Sequence, residues 1–176
     1  MNPIKNNNGF TLIEVMIVIV LLSALIATTI SSINMTSSLV QNNSSSIMSA
    51  MSEIETSYGM YLNDKNTSPT GLTDVTFVPI YLMTPNTIQN FDSAYGTNGY
   101  VLAQQTGQAV GNNGWYIAAR ANVGGSKDIA WQGIVQAATK LSLYKFFYNT
   151  AVAAVTNMAP PAGASTVYVT YWITRY

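Results

Sequence analysis

The feature that most constrains this chain is a predominantly apolar run at residues 10–30, which contains one charged side chain, Glu14. A helix of that length spans roughly 31 Å, close to the thickness of a bilayer core. A core helix of a soluble domain is rarely apolar on all sides over such a length. A cleavable secretory signal has a shorter apolar region, and the sequence ATTISSIN that follows offers a poor cleavage site. The run therefore predicts a transmembrane helix.

A better processing point lies before the run, at Gly9–Phe10, behind a short polar leader at residues 1–9. Its Lys5 favours the cytoplasmic side of a membrane. Glu14 lies about one helical turn after Phe10, so cleavage after Gly9 would place a new amino group near this carboxylate. The two groups could attract each other, within one chain or between two chains. Alternatively, Glu14 extends its side chain to the membrane interface, and its position alone leaves both interpretations open.

The sequence GFTLIEVMIVIVLLSALIATTI, residues 9–30, closely resembles the processing motif of type IV prepilins and pseudopilins. The resemblance implies that a prepilin peptidase cleaves after Gly9 and that Phe10 becomes an N-methylated N-terminus. It also implies that Glu14 is the carboxylate that directs subunit addition to a helical filament, a homo-oligomer. The implied partners are the peptidase, the inner membrane before assembly, and an inner-membrane pilus assembly platform. The resemblance covers about the first 30 residues.

Helical spacing continues beyond the apolar run, and residues 31–62 are predicted to dock on a globular head from about residue 47. A flexible Ser/Asn linker at 41–46 is an alternative. Many pilins of the family carry a proline or glycine in the buried helix, whereas residues 10–58 contain neither, so melting of this helix in an assembly stays open. The segment 63–71 carries stop signals. One helix face is formed by Ile33, Val40, Ile47, Met51, Ile54, Tyr58 and Leu62.

Residues 63–176 are predicted to form a globular αβ head. The last strand should have two faces, one carrying Val167, Val169, Tyr171 and Ile173. The whole predicts an α+β fold similar to that of type IV pilins: a long N-terminal helix packed on an antiparallel sheet, with one or two extra helices. The predicted strands of the head are an irregular edge strand at 74–83, strands at 99–105 and 114–123 with a tight turn at Asn112-Asn113, and a strand at 165–176. A helix capped by Ser126 is predicted over 127–139. A second helix is predicted in the alanine-rich second half of 140–158, and the first half of that segment fits a strand as well.

Composition limits the chemistry that the chain can perform. It has no cysteine and no histidine, which removes thiolate ligands, disulfides and imidazole bases. No serine lies in a G-x-S-x-G context, and no phosphate loop or dinucleotide fingerprint occurs. The formal net charge is zero, so direct nucleic-acid binding is not indicated. We therefore expect no enzyme, no cofactor and no metal site, since calcium-loop spacing is lacking among Asp64, Asp74, Asp92 and Asp128.

Two further patterns are weaker signals. Asn66 begins an N-x-[ST] triplet in a predicted loop, with Asp64 two residues before it, as in bacterial N-glycosylation sequences. Asn66 is thus a candidate glycosylation site, although so many Asn, Ser and Thr residues also produce triplets by chance, as at Asn34, Asn42 and Asn43. Aromatic clusters are expected to pack in the core and on sheet faces rather than form a binding surface. They are Trp115/Tyr116, Phe146/Phe147/Tyr148 and Tyr168/Tyr171/Trp172.

Three functions fit these patterns. A structural subunit of a type IV pilus would end in an extracellular filament, and the uncharged head rich in Tyr, Asn and Ser favours it. A minor pilin, or a pseudopilin of a type II secretion or DNA-uptake system with a periplasmic filament, is the nearest alternative. A monomeric membrane-anchored binding protein is an alternative of another class. It would show no cleavage after Gly9 and would tolerate Glu14→Leu.

Overall fold

The computed structural model describes residues 12–83, 88, 91–141 and 145–176, without the side chains of residues 27–34. The chain forms two compact units, one ending at Ser38 and one running from Leu39 to Tyr176. The predicted α+β class is confirmed, with a long N-terminal helix and an antiparallel sheet, as in a type IV pilin-like fold. The described elements are α1 Leu12–Lys65, β1 Tyr100–Gln105, β2 Gly114–Val123, α2 Ile129–Lys140, β3 Phe146–Asn149 and β4 Ser165–Trp172.

Helix α1 is continuous from Leu12 to Lys65. It passes through residues 41–46 without a break, so the alternative of a flexible linker there is wrong. The helix ends at Asn66, whose backbone is left-handed (φ 54°) and whose N–H donates to the Leu62 carbonyl at 2.9 Å. Asparagine tolerates this conformation better than most residues and is used at helix C-termini for that reason.

The four strands form one antiparallel sheet in the order β1-β2-β4-β3. Because side chains alternate along a strand, each strand contributes to two faces. The inner face carries Ile117 and Ala119 of β2 and Val167 and Val169 of β4, all fully buried. The outer face carries the alternate residues. In the β2–β4 register its side chains pair as Tyr116 with Trp172, Ala118 with Thr170, Arg120 with Tyr168, and Asn122 with Thr166.

The main core lies between α1 and the inner face. Ile47, Met51, Ile54 and Tyr58 of α1 are between 0% and 3% exposed and belong to one apolar cluster with the inner-face residues. From residue 47 onward, α1 therefore contributes buried side chains to this cluster. Leu62, which was expected on the same face, is 39% exposed, and Tyr61 is buried in its place.

Glu55 of α1 adds a polar connection to the sheet. Its carboxylate lies 2.8 Å from the Lys145 Nζ and accepts a hydrogen bond of 2.5 Å from the Tyr171 hydroxyl. The pKa of Tyr171 is raised above its usual value. Burial is the larger cause, and the hydrogen bond to Glu55 is the second. These two contacts of Glu55 join α1 to Tyr171, near the end of β4, and to Lys145, which immediately precedes β3.

Two of the predicted head elements differ in the structure. Residues 74–83 form turns rather than an edge strand, because Asp74 binds the backbone of its neighbours. Helix α2 is capped by Asp128 and not by Ser126, since the Asp128 carboxylate accepts hydrogen bonds from the N–H groups of Ala130 (2.7 Å) and Trp131 (3.3 Å). A carboxylate at this position satisfies helix N–H groups that have no partner within the helix.

The helix expected in the second half of 140–158 is also wrong. After β3 the chain turns across the outer face, where the Ala153 N–H donates to the buried Thr170 Oγ1 at 3.1 Å. Ala153, Phe147 and Trp172 form a second, smaller core there, with Val155 packed against it. Covering this apolar outer face outweighs the helix propensity of the alanines.

The hairpin between β1 and β2 and the end of β4 require smaller corrections. The loop is residues 106–113, and the turn closes between Ala109 and Asn112 (3.0 Å), so Asn112 belongs to it and Asn113 follows. Strand β4 ends at Trp172 rather than at Tyr176. The last residues bind the hairpin loop instead, with the Tyr176 N–H donating to the Asn113 carbonyl at 3.0 Å.

Asp74 makes the stability of the head sensitive to acid. Its carboxylate accepts hydrogen bonds from the hydroxyl and N–H groups of Thr76 (2.6 and 2.9 Å) and from the Thr70 N–H (3.0 Å). These bonds lower the pKa of Asp74 from 3.8 to about 2. Because the folded pKa lies below the unfolded one, this stabilisation is complete above about pH 4 and disappears as the pH falls through about 2.

We expect Asp74→Asn to lower the thermal midpoint at pH 7 by a few degrees. The difference from the unsubstituted protein should decrease below about pH 4 and be lost as the pH falls through about 2. Thermal unfolding of the full chain in micelles, followed by circular dichroism across this range, measures it. Glu53→Gln, at an exposed acid on α1, is the control. A difference as large at pH 2 as at pH 7 would contradict the assignment.

Candidate assembly site on the N-terminal helix

The described start of α1, residues 12–26, exposes every one of its large apolar side chains. Exposure ranges from 43% at Val15 to 80% at Leu12. Helices that are apolar on all sides are normally covered by protein or lipid, and a large exposed apolar surface marks an interaction site. A shallow apolar groove runs along one side of this segment, lined by Ile13, Met16, Ile17, Val20 and Leu21. We conclude that this surface is suited to be covered by other apolar groups.

Glu14 lies in the first turn of α1 and is exposed. It is the only charged residue between Lys5 and Glu53 in the sequence. The residues three and four places after it, Ile17 and Val18, are its neighbours on the helix surface, and both are apolar. A negative charge near a helix N-terminus is favoured by the helix dipole. The site therefore combines one carboxylate with a continuous apolar surface.

Magnitudes indicate what this combination does when the surface is covered. Burying one large apolar side chain contributes about 1.5–3 kcal/mol, so the apolar residues of this segment together contribute on the order of 20 kcal/mol as an upper estimate. An isolated carboxylate in an apolar layer costs a few kcal/mol. Burial of the helix is thus favourable in spite of Glu14. Among the arrangements of covering groups, those that leave the Glu14 carboxylate without a cationic partner are then higher in free energy.

The other predicted residues of this site, Gly9 and Phe10, lie outside the described residues, as does the whole leader 1–9. Cleavage after Gly9, N-methylation of Phe10 and the role of Glu14 in assembly therefore remain predictions. Within the described part of the chain, no helix is both long enough and apolar enough to cross a membrane. Of the predicted span, residues 10 and 11 and the side chains of 27–30 are outside that part.

Asn66 is exposed, as a glycosylated residue must be, and it also ends helix α1. Its glycosylation stays a prediction. Asp64, two residues earlier, accepts a hydrogen bond from the Tyr81 hydroxyl and lies 3.1 Å from the Lys65 Nζ. These contacts lower the pKa of Asp64 below its ordinary value, with Tyr81 the larger cause.

The acidic residues of the head have structural roles. Asp64 binds Tyr81, Asp74 binds Thr70 and Thr76, Asp92 binds Arg120, and Asp128 caps α2. In the described ranges, no three acidic side chains come close enough together to hold a metal ion. The aromatic clusters pack largely as predicted, with Phe146, Phe147, Tyr171 and Trp172 buried on the two sheet faces.

Sequence reasoning missed two features of the molecule. The groove of Ile13, Met16, Ile17, Val20 and Leu21 has helical spacing, but that spacing is hidden in the sequence because the neighbouring residues are apolar too. The cluster of Arg120, Tyr95 and Tyr168 on the outer sheet face brings distant residues together, and no local pattern announces it.

Comparison with protein families matches residues 4–30 to the prokaryotic N-terminal methylation motif. The matched residues include Gly9, Phe10 and Glu14, and the match supports the type IV prepilin and pseudopilin family. The motif thus supports a protein of the type IV pilin or pseudopilin type, a structural and not an enzymatic class. It implies processing by prepilin peptidase and pilin assembly. Comparisons with curated proteins and with solved structures found no match.

Proposed function

We propose that this chain is the precursor of a structural subunit of a type IV pilus. Prepilin peptidase removes the leader 1–9 in the inner membrane, and the new N-terminal Phe10 is methylated. Residues 10–30 hold the subunit in the membrane and then form the filament core, while residues 31–62 dock on the head, residues 63–176. An inner-membrane assembly platform adds subunits to a helical homopolymer that leaves the cell as an extracellular filament.

The observation that carries this proposal is the exposed apolar start of α1 with Glu14 in its first turn. In the membrane that surface is covered by lipid, and in a filament it would be covered by identical helices, so it stays out of water in both places and helix packing replaces lipid contacts. In such a bundle Glu14 would compensate the amino group of Phe10 on a neighbouring subunit, because two opposite charges are tolerated in an apolar layer only as a pair. Solvent-exposed heads rich in Tyr, Asn and Ser would then cover the outside.

Electron microscopy of cells labelled with an antibody against the head tests the proposal. Long labelled surface fibres that disappear when the gene is deleted are the expected result. Label confined to the periplasm would reject the surface pilus and leave the pseudopilin as the function. Label spread evenly over the membrane, on chains that retain the leader, would reject both and favour a monomeric anchored protein.

Processing makes a separate prediction. Gly9→Val should reduce leader removal by at least about tenfold, because a branched side chain would stand beside the scissile bond where the motif has none; a factor of ten corresponds to about 1.4 kcal/mol in the barrier. The intact mass of the membrane-extracted chain measures it, since the uncut chain retains residues 1–9 and the cut chain begins at Phe10.

Asn8→Ala is the matched control for this substitution, since it changes the adjacent leader residue and should leave cleavage unchanged. A mature N-terminus at Phe10 in Gly9→Val, at the level of the unsubstituted chain, would remove the assignment of the cleavage site. The same mass spectrum reports N-methylation of Phe10 as a gain of one methyl group.

A further inference from the structure

The outer face of the sheet has two parts with different chemistry. One end of β2 and β4 lies under the second core. At the other end the side chains are polar: Arg120 lies opposite Tyr168, and Asn122 lies opposite Thr166. The Thr166 hydroxyl donates to the Asn122 side-chain oxygen at 3.3 Å, so these two side chains form a joined polar edge.

An open groove with a volume of about 530 Å³ adjoins this polar end. This volume is in the range of small-molecule sites, which combine a concave surface with a few fixed polar groups. The Asn122 amide group and the hydroxyls of Ser165 and Thr166 supply both donors and acceptors. Two of the lining residues, Gly124 and Ala164, have no side-chain atom beyond Cβ. The lining residues are Asn122, Val123, Gly124, Ala164, Ser165 and Thr166.

Two tyrosine rings lie next to the groove. One of them, Tyr168, is two residues after Thr166 on β4 and therefore on the same face of the sheet. Tyr168 of β4 and Tyr95, in the segment before β1, lie 5.7 Å apart, edge to face, and both are half-buried. The Arg120 guanidinium lies 5.2 Å from the centre of the Tyr95 ring. Arg120 thus lies over one face of the Tyr95 ring, and a ligand in the groove can pack only on the part of the two rings that stays exposed.

The charge of this surface is balanced. The Arg120 Nε donates to an Asp92 carboxylate oxygen at 2.9 Å, and the other Asp92 oxygen accepts from the Ala94 N–H at 3.0 Å. This contact lowers the pKa of Asp92 and raises the pKa of Arg120, so both stay charged as an ion pair at neutral pH. This ion pair therefore offers neither a free positive charge for a phosphate nor a free carboxylate for a cation; the Asp128 carboxylate that caps α2 lies near Gly124 at the groove.

These observations select a class of ligand. A phosphate or nucleic acid needs uncompensated cations, and an apolar ligand would leave the hydroxyls and the amide without partners. A neutral saccharide presents C–H faces that pack on tyrosine rings and hydroxyls that both donate and accept hydrogen bonds. We propose that the groove at Asn122 and Thr166, with Tyr95 and Tyr168 at its edge, is a binding site for neutral saccharides. The site lies wholly within the head and does not depend on filament formation.

Saturation-transfer NMR on the full chain in sugar-free dodecylphosphocholine micelles tests this site. The probes are the methyl glycosides of glucose, galactose, mannose and N-acetylglucosamine and their linear tetramers. We expect saturation of the aromatic protons to reach the C–H protons of at least one probe. Tyr95→Leu and Thr166→Val should each weaken binding of that probe about fivefold, the size expected for one lost contact.

Tyr176→Leu removes another exposed tyrosine of the head, 59% exposed and outside the groove, and it should leave binding unchanged. Thr166→Val keeps the branched shape of the side chain, so unchanged circular dichroism is expected with it. No transfer to any probe, or binding by Tyr95→Leu and Thr166→Val that is as tight as binding by the unsubstituted chain, would overturn the proposal.

Discussion

Glu14→Val should leave leader cleavage intact and reduce the amount of chain in sheared surface filaments by at least about tenfold. The substitution makes the helix surface more apolar, so apolar packing alone predicts assembly that is unchanged or improved. The loss follows instead from the Phe10 amino group of a neighbouring subunit, which would be buried without a counter-charge. Leaving a buried charge uncompensated costs about 3–5 kcal/mol. Quantitative immunoblots of the sheared and membrane fractions measure the distribution.

Two further variants separate charge from shape. Glu14→Gln keeps the size and hydrogen-bonding capacity of the side chain and removes only the charge, so it should also fail to assemble. Glu53→Gln neutralises the next acid along α1, which is exposed, and it should assemble normally. Filaments of Glu14→Val at the level of the unsubstituted chain would show that Glu14 has no part in assembly.

Gly133→Leu should abolish folding of the head, and Gly133→Ala should lower its free energy of unfolding by about 1–3 kcal/mol. Gly133 is buried in α2, and a Cβ atom there would lie 2.8 Å from the Asn43 Cβ and 3.5 Å from the Ser44 nitrogen of α1. The two helix backbones approach closely at this point. Alanine has a helix propensity about 1 kcal/mol better than glycine, yet the steric overlap reverses the sign.

Gly59 is the matched control, because it also lies within a helix and a Cβ added there meets no atom within 4 Å. Gly59→Ala should therefore stabilise the protein by about 0.5–1 kcal/mol. Urea unfolding of the full chain in micelles, followed by tryptophan fluorescence, compares the two variants. Equal stabilities of Gly133→Ala and Gly59→Ala would contradict the close packing of α2 on α1.

Much of the fold followed from patterns that are local in the sequence. Helix α1 has no glycine or proline before Gly59. The two strands of the β1–β2 hairpin are bounded by segments rich in Gly and Asn. Such patterns depend on residues close together in the chain, and the structure confirms both elements. The polar segment 41–46 was ambiguous for the same reason, because its small side chains suit a linker as well as a helix.

Elements were mispredicted where their conformation depends on a distant partner. The alanine-rich stretch after β3 has good helix propensity, but Ala153 packs on Phe147 and Trp172 and takes an irregular path. Ser126 and Asp128 are both good helix caps by residue type, and only the path of the chain after Gly125 places the Asp128 carboxylate at the N–H groups of α2.

The sequence by itself determined the candidate assembly site, since an apolar run, its single acid Glu14 and the glycine before Phe10 are contiguous and need no partner to be recognised. Only the tertiary structure decided that the helical segment 41–46 meets α2 closely: a Cβ atom at Gly133 would lie 2.8 Å from the Asn43 Cβ. It also brought Arg120, Tyr95 and Tyr168 together on the outer sheet face. Close packing depends on pairs of surfaces that meet only after folding, whereas hydrophobicity and charge belong to each residue before it.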